Sequence, residues 1–211
     1  SGKQSIDFQP NQVNVFENQD IQLYLPAPTL YDSLAFTHSE RVDNLPDSYS
    51  GIHSVLSGLV PSEDYFTITL KANKIVPEYL KNKMLIKESW KGKNEVVKAL
   101  QTGNSYSAKF NLFGDFELIA DDKPPVIHVD FNDNANVSSH STIVVTPIDN
   151  NDVIKNFRAE LDGKWLMFSN DKGKKYIYHF DEKCPRGKHE LKISVEDEAG
   201  NRTQNIYHFT R

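Results

Sequence analysis

Cysteine is almost absent from the sequence. Cys184 is the single cysteine among 211 residues, so no internal disulfide can form and the chain is not a disulfide-stabilised scaffold. Pro185 and Arg186 follow it, and no neighbouring residue pair would activate its thiol as a nucleophile. The sequence therefore predicts an inert structural or surface thiol at this position.

Long apolar runs and clusters of basic residues are also missing. No apolar stretch approaches the roughly 20 residues that cross a bilayer, so we expect no insertion into a membrane. The formal net charge of −5 is spread along the chain without a basic face, which argues against nucleic acid as a partner. The densest basic stretch, "KGKK" at 172–175, predicts the solvated end of a hairpin.

The sequence contains no motif of a common catalytic centre. Its seven histidines include no His-x-His pair that would direct ligands at one zinc ion, although histidines distant in sequence could still converge in space. There is no Gly-x-Ser-x-Gly elbow, and the ten glycines stand singly instead of forming a phosphate loop. Paired carboxylates for glycoside hydrolysis stay open, because they are defined by distance in space. We expect no enzyme activity, no metal and no cofactor.

What the sequence does have is alternation of apolar and polar residues about every ten positions, which predicts an all-β protein. Two β-sandwich domains are expected, because the prolines of "DDKPP" (121–125) lack the N–H groups that a continuing strand needs. We place the N-terminal β-sandwich at 1–121 and the C-terminal domain at 122–211. In the first domain, residues 42–63 read as a long loop, and one helical turn is expected after Pro77.

The second domain carries the clearer pattern. Seven strands are predicted, at 126–131, 142–148, 154–161, 164–169, 175–180, 188–196 and 203–210. This number and spacing are typical of an immunoglobulin-like or fibronectin-III-like sandwich. His189 falls on the apolar face of one of these strands, so we expect a packed, hydrogen-bonded side chain there and not a metal ligand.

One surface emerges from the pairing of two of these strands. Asp162-Gly163 is a two-residue hairpin signal, which sets Leu161 opposite Lys164 and fixes the pairs behind them. Trp165 then lies with Arg158 and Glu160 on the less apolar face. If that face is open, it is typical of a sugar-stacking or protein-docking surface. The alternatives are that another element covers the ring, or that Arg158 stacks on it as a cross-strand pair.

A second cluster of polar residues, "DEAGN" at 197–201, resembles a binding site but is predicted to be a turn. Gly200 supplies a positive φ, while Asp197 and Asn201 can bond to the turn backbone. A weak calcium site at Asp197 and Asn201 is the alternative.

Several of these segments together resemble the C-terminal, non-catalytic region of lysostaphin-like zinc endopeptidases from Gram-negative bacteria. They are the hairpin "DGKW" (162–165), the strand "GKHEL" (187–191) and the turn "DEAGN" (197–201), joined more loosely by "LPAPTLYDSLAF" (25–36) and "VPEYLKNKMLI" (76–86). The family's His-x-His strand and its upstream His and Asp ligands have no counterpart here, so the peptidase activity is not carried over.

The resemblance implies a non-catalytic accessory module of an extracytoplasmic cell-wall peptidase, in the periplasm or at the cell surface of a Gram-negative bacterium. Such a module would position or dock the enzyme through its β-sandwich surfaces, with peptidoglycan or a peptidase domain as the partner. A stand-alone carbohydrate-binding module or an adhesin is the alternative.

Overall fold

The structure, a computed structural model, describes residues 6–211 and consists of two compact units that divide between Asp122 and Lys123. The predicted boundary lies one residue earlier, and the first five residues of the predicted N-terminal domain lie outside the described part. In residues 6–211, helical structure is confined to two short 3-10 segments, Ala27–Thr29 and Glu78–Lys83. Neither helix is long and apolar enough to cross a membrane.

Within the described residues 6–122, the first unit contains twelve strands. They are β1 (Ile6–Phe8), β2 (Asn14–Glu17), β3 (Ile21–Leu25), β4 (Leu34–Phe36), β5 (His38–Arg41), β6 (Ile52–Val55), β7 (Phe66–Lys71), β8 (Met84–Trp90), β9 (Lys93–Lys98), β10 (Leu100–Thr102), β11 (Ser105–Phe110) and β12 (Gly114–Ala120). One five-stranded sheet has the order β10-β11-β7-β3-β2, and the other has the order β5-β6-β12-β8-β9. β1 and β4 form a separate pair.

An aromatic cluster lies at the centre of this unit. The rings of Phe66 and Phe113 stack with centroids 4.3 Å apart, and Phe116 meets both Phe66 and Phe110 edge to face. All four side chains are fully buried. Because Phe66 and Phe110 come from one sheet and Phe116 from the other, the inner faces of the two sheets pack together as a β-sandwich.

The predicted loop at 42–63 is wrong in its centre. β6 lies there and pairs with both β5 and β12, which makes it an inner strand of its sheet. His53 and Val55 point inward and are fully buried. The alternation was hidden because the first inward residue, His53, is polar, and because Ser50 and Gly51 precede the strand. The helical turn predicted after Pro77 is confirmed as the segment Glu78–Lys83.

Nine strands build the second unit. They are β13 (Val126–Val129), β14 (Ala135–Asn136), β15 (Thr142–Ile148), β16 (Ile154–Leu161), β17 (Lys164–Leu166), β18 (Ser169–Asp171), β19 (Lys175–His179), β20 (Lys188–Asp197) and β21 (Arg202–Thr210). The sheets have the orders β13-β15-β19-β18 and β14-β21-β20-β16-β17. The first is the A-B-E-D sheet of an immunoglobulin fold, and the second contains its G-F-C sheet. The predicted all-β class and the immunoglobulin-like second domain are confirmed.

The strand predicted at 164–169 is divided between the two sheets. β17 pairs with β16, whereas β18 pairs with β19 in the opposite sheet. Phe168 lies at the crossing and turns inward, with its ring 5.5 Å from that of Phe157 and 5.6 Å from that of Tyr178. The chain changes sheet at this point, and the partly buried Phe168 side chain packs against the core between the two sheets.

Replacing Phe116 by alanine should destabilise the first unit by about 3–5 kcal/mol, because a fully buried phenylalanine leaves a cavity. Urea unfolding can be followed by Trp90 fluorescence in a Trp165→Phe background, where Trp90 is the remaining tryptophan. Ile75→Ala is the control, since Ile75 is 92% exposed and should change the free energy of unfolding by less than about 0.5 kcal/mol. Equal effects of the two substitutions would contradict the assigned core.

Candidate functional site

The hairpin β16–β17 has the predicted register. Asp162 and Gly163 form its turn with φ angles of 50° and 77°, and Leu161 is paired with Lys164. Two positive φ angles in a two-residue turn match the right-handed twist of the strands that it joins. Trp165 is therefore paired with Glu160 and lies on the outward face of its sheet.

The Trp165 ring is open to solvent. The residue is 59% exposed, and the neighbouring Met167 is 63% exposed. A tryptophan so exposed on an edge strand is unusual, because its large ring normally gains free energy from burial. Within residues 6–211, no cation lies over this ring, so a stacked arginine does not account for its position.

The two charged residues predicted beside Trp165 form an ion-pair network. Arg158 Nε lies 2.8 Å from Glu160 Oε1, and the Lys192 ammonium is bonded to the other oxygen of the same carboxylate. These hydrogen bonds from Lys192 and Arg158 lower the pKa of Glu160 below its usual value. The Glu160 side chain is only 14% exposed. The network fixes Glu160 beside Trp165, its partner across the strands, and leaves Arg158, at 60% side-chain exposure, accessible to a ligand.

Two grooves meet at Trp165. The first has a volume of about 500 Å³ and follows the outward face across β16, β20 and β21. Its floor carries Ser194 and Gln204, joined by a hydrogen bond of 3.2 Å, and the pair of Arg202 with Glu196 at 2.9 Å. The second groove has a volume of about 590 Å³ and lies between the hairpin turn and residues 182–185. The Trp165 ring thus lies between two grooves whose linings mix polar and apolar side chains. We call this ring and the two grooves beside it the Trp165 surface.

His189 anchors the hairpin from the neighbouring strand. Its Nδ1 lies 2.7 Å from Asp162 Oδ2, and its Nε2 lies 2.7 Å from the carbonyl oxygen of Pro185. Asp162 Oδ1 also accepts a hydrogen bond from the backbone N–H of Glu190. The prediction of a packed, hydrogen-bonded histidine is confirmed, and its contacts hold both walls of the second groove.

The turn 197–201 is built as the sequence predicts. Asp197 is 1% exposed, and its two carboxylate oxygens accept hydrogen bonds of 2.8 and 2.7 Å from the backbone and side-chain N–H groups of Asn201. Gly200 has a φ of 83°. Cys184 is likewise buried, and burial raises the pKa of its thiol, which accords with the predicted inert residue.

Three titratable residues that the sequence did not single out are buried in the first unit. Glu88, on β8, is 2% exposed, and burial together with the charge of Glu95 raises its pKa to about 7. Burial also raises the pKa of Glu117 to about 7 and lowers that of His53 to about 4. Such groups escape strand-pattern analysis, because a polar residue at an inward position looks like a break in the alternation.

Gly114 makes room for one of these carboxylates. A Cβ at this position would lie 2.3 Å from Glu88 Oε1 and 2.7 Å from the carbonyl oxygen of Ser89. Any larger residue at position 114 would therefore collide with the buried Glu88 carboxylate.

Comparisons with known proteins identify one matching family and several solved structures of low sequence identity. The family model for the Zu5-like domain matches residues 6–121, more than half of the chain. No curated protein matches the chain. Fibronectin(III)-like modules of CbhA from Clostridium thermocellum have 13% identity and a TM-score of 0.33, over 82% of this chain and 93% of theirs.

Two larger structures are similar at the same level. The glycoside hydrolase domain of Endo-D from Streptococcus pneumoniae has 9% identity and a TM-score of 0.27, over 83% of this chain and 37% of its own. The extracellular domain of a hybrid two-component system from B. thetaiotaomicron has 10% identity and a TM-score of 0.31, over 96% and 32%. This chain therefore spans about a third of either of them.

The buried Glu88 should make the stability of the first unit fall as pH rises. Its folded pKa of about 7 exceeds the ordinary value of 4.5, so the folded state binds more protons between these values. The stabilising contribution is complete below pH 4.5 and is lost as pH rises through 7. Glu88→Gln should therefore be more stable than the parent by about 1–3 kcal/mol at pH 8, with a smaller difference at pH 4.5.

Urea unfolding of the Trp165→Phe protein and its Glu88→Gln derivative at pH 4.5 and 8, followed by Trp90 fluorescence, measures this difference. Glu63→Gln is the matched control, because Glu63 is exposed and its replacement should leave the pH profile of the parent unchanged. A Glu88→Gln profile parallel to that of the parent would show that Glu88 does not bind the extra proton.

Proposed function

The chain belongs to the Zu5-like domain family through residues 6–121, and we propose that it is a non-catalytic accessory module that docks or positions an extracytoplasmic cell-wall peptidase. Peptidoglycan, or the peptidase domain itself, is the proposed partner. The periplasm or the cell surface of a Gram-negative bacterium is the proposed location. The resemblance of the "DGKW", "GKHEL" and "DEAGN" segments to the non-catalytic region of lysostaphin-like endopeptidases supports this proposal.

The observation that carries the binding role is the exposed Trp165 ring between two grooves. An indole ring offers an apolar face that stacks on the C–H face of a sugar or on the side chain of a peptide. The backbone of Trp165 is held by the pairing of β17 with β16, which pairs in turn with β20, so the ring projects from an ordered sheet.

The charged groups of the Trp165 surface are paired with one another. Glu160 is bonded to Arg158 and Lys192, and Glu196 is bonded to Arg202, so three cationic side chains face two carboxylates and the floor carries one excess positive charge. A neutral, zwitterionic or weakly anionic ligand would suit this surface. Ser194, Gln204 and the hydrogen-bonding groups of the ion-paired residues that face the groove would orient hydroxyl and amide groups of the ligand. Peptidoglycan offers both kinds of group, in its sugars and in its peptide stems.

A stand-alone carbohydrate-binding or adhesin-type module is the second candidate. The same feature favours it, because a ring with an open groove on each side can accept successive units of one glycan chain. In that case the partner would be a soluble or surface glycan, and no peptidase would be required.

Trp165→Ala should abolish most binding to insoluble peptidoglycan. Truncation of a central interface aromatic costs at least about 2 kcal/mol, which corresponds to a roughly 30-fold weaker Kd. Co-sedimentation with purified peptidoglycan over a range of protein concentrations measures this Kd. Tyr79→Ala is the matched control, because Tyr79 is 71% exposed in the first unit and should leave the Kd unchanged.

A glycan array with the same proteins separates the two candidates. Binding to peptidoglycan without binding to other glycans supports the accessory module, whereas Trp165-dependent binding to glycans outside the cell wall supports the second candidate. If the parent binds neither and Trp165→Ala behaves identically while remaining folded, the Trp165 surface has no role in binding. Turnover of a cell-wall peptide that survives chelator-washed controls would contradict the non-catalytic assignment.

A further inference from the structure

Two histidines distant in sequence converge in the first unit. His38 lies on β5, His53 lies on the adjacent β6, and His38 Nε2 is 3.2 Å from His53 Nδ1. Glu40 is paired directly with His53 across the two strands, so all three side chains lie on one face of the sheet. The histidine pair is a property of the strand register, because 15 residues separate its members in the chain.

The hydrogen-bonding capacity of this pair is incompletely used. His53 is fully buried, and its Nε2 has no hydrogen-bond partner among residues 6–211, where the nearest carboxylate oxygen, Glu40 Oε1, is 4.0 Å away. If His38 donates to His53, the only proton of the neutral His53 ring is on Nε2, where it meets no acceptor. If His53 donates to His38, Nε2 is a buried lone pair that meets no donor. Either neutral tautomer leaves a buried nitrogen unsatisfied.

A bound divalent metal ion fits the spacing of the two facing nitrogens. Two imidazole nitrogens on a tetrahedral zinc ion, with Zn–N bonds of about 2.0–2.1 Å, lie about 3.3 Å apart, close to the observed 3.2 Å. Binding through His38 Nε2 and His53 Nδ1 would replace the proton between the two rings and leave the His53 proton on Nε2. The exposed Glu40 side chain, with its Oε1 4.0 Å away, would have to move closer to accept this proton. A carboxylate that accepts the second N–H of a metal-bound histidine is the usual support for such a site.

The surroundings of the two histidines favour neutral imidazole rings, and the pair can be reached from the side of His38. His38 is half-buried and packs against the Phe16 ring at 5.0 Å, whereas Glu40 is exposed. Burial lowers the pKa of both histidines, which keeps the rings neutral near pH 7. Because His53 is fully buried and His38 is half-buried, water molecules that complete the coordination would have to approach beside His38. Imidazole ligands favour zinc, copper(II) and nickel over the hard cations magnesium and calcium.

We propose that His38 and His53 form a two-histidine site for zinc or a similar transition-metal ion, with Glu40 as the residue that positions the His53 ring. The site is independent of the Trp165 surface, since its three residues belong to the first unit. Its ligands are two nitrogens, so the affinity is expected to be moderate and the ion exchangeable.

Titration of the tag-free, chelator-treated chain with ZnCl2 tests this site. We expect one equivalent of zinc by calorimetry, insensitive to excess MgCl2. His38→Ala should weaken binding at least 10-fold, because it removes one of two ligands. Glu40→Gln should weaken it about 10-fold, the lower end of the range for a supporting carboxylate. His140→Ala is the matched control, because His140 is exposed in the second unit and should leave the zinc affinity unchanged.

A long-range 1H–15N spectrum of the parent chain gives a readout that needs no variant. Zinc should shift the signals of His38 Nε2 and His53 Nδ1 to metal-bound values and leave the proton of His53 on Nε2. The absence of a zinc equivalent in the parent, or the same affinity in His38→Ala as in the parent, would overturn the proposal. An unchanged affinity in Glu40→Gln would overturn the role of Glu40.

Discussion

The turn at Asp162-Gly163 is the constraint on which the candidate surface depends. Its two positive φ angles allow only one pairing of β16 with β17, and the side-chain oxygens of Asp162 tie the turn to His189 and Glu190 on β20. Because side chains alternate along a strand, a slip of one residue would turn Trp165 into the core and expose Leu166. The turn geometry therefore places Trp165 on the outward face of the sheet, although an indole side chain gains free energy from burial.

The two units use the inner faces of their sheets differently. In the second unit the inward positions of β20 are occupied by Leu191, Ile193 and Val195, and its buried histidine has two oxygen partners. In the first unit Glu88 and His53 lie at inward positions of their strands with a polar atom left unpaired. Buried polar groups of this kind cost stability unless a proton, an ion or a hydrogen bond satisfies them. The raised pKa of the buried Glu88 therefore makes the stability of the first unit depend on pH.

Much of the fold could be predicted from short-range pattern. Alternation located most strands, the prolines after Asp122 fell beside the division between the units, and the Asp162-Gly163 turn fixed the register that displays Trp165. Where inward positions were not apolar the prediction failed, as at β6, whose His53 interrupts the pattern. It also failed at Phe168, because pairing with a different sheet depends on where a side chain finds space and not on its neighbours in sequence.

The sequence by itself determined the all-β class, the immunoglobulin-like second unit and the hairpin that presents Trp165, since alternation and turn residues act over a few positions. Only the tertiary structure decided that the Trp165 ring is open between two grooves, that Arg158 is bonded to Glu160, and that His38 meets His53. Exposure depends on what every other element covers, and the approach of two side chains depends on strand pairing between distant segments. Neither the exposure of a side chain nor its distance from a residue far away in sequence can be read from a short stretch of residues, because both depend on the packing of the whole unit.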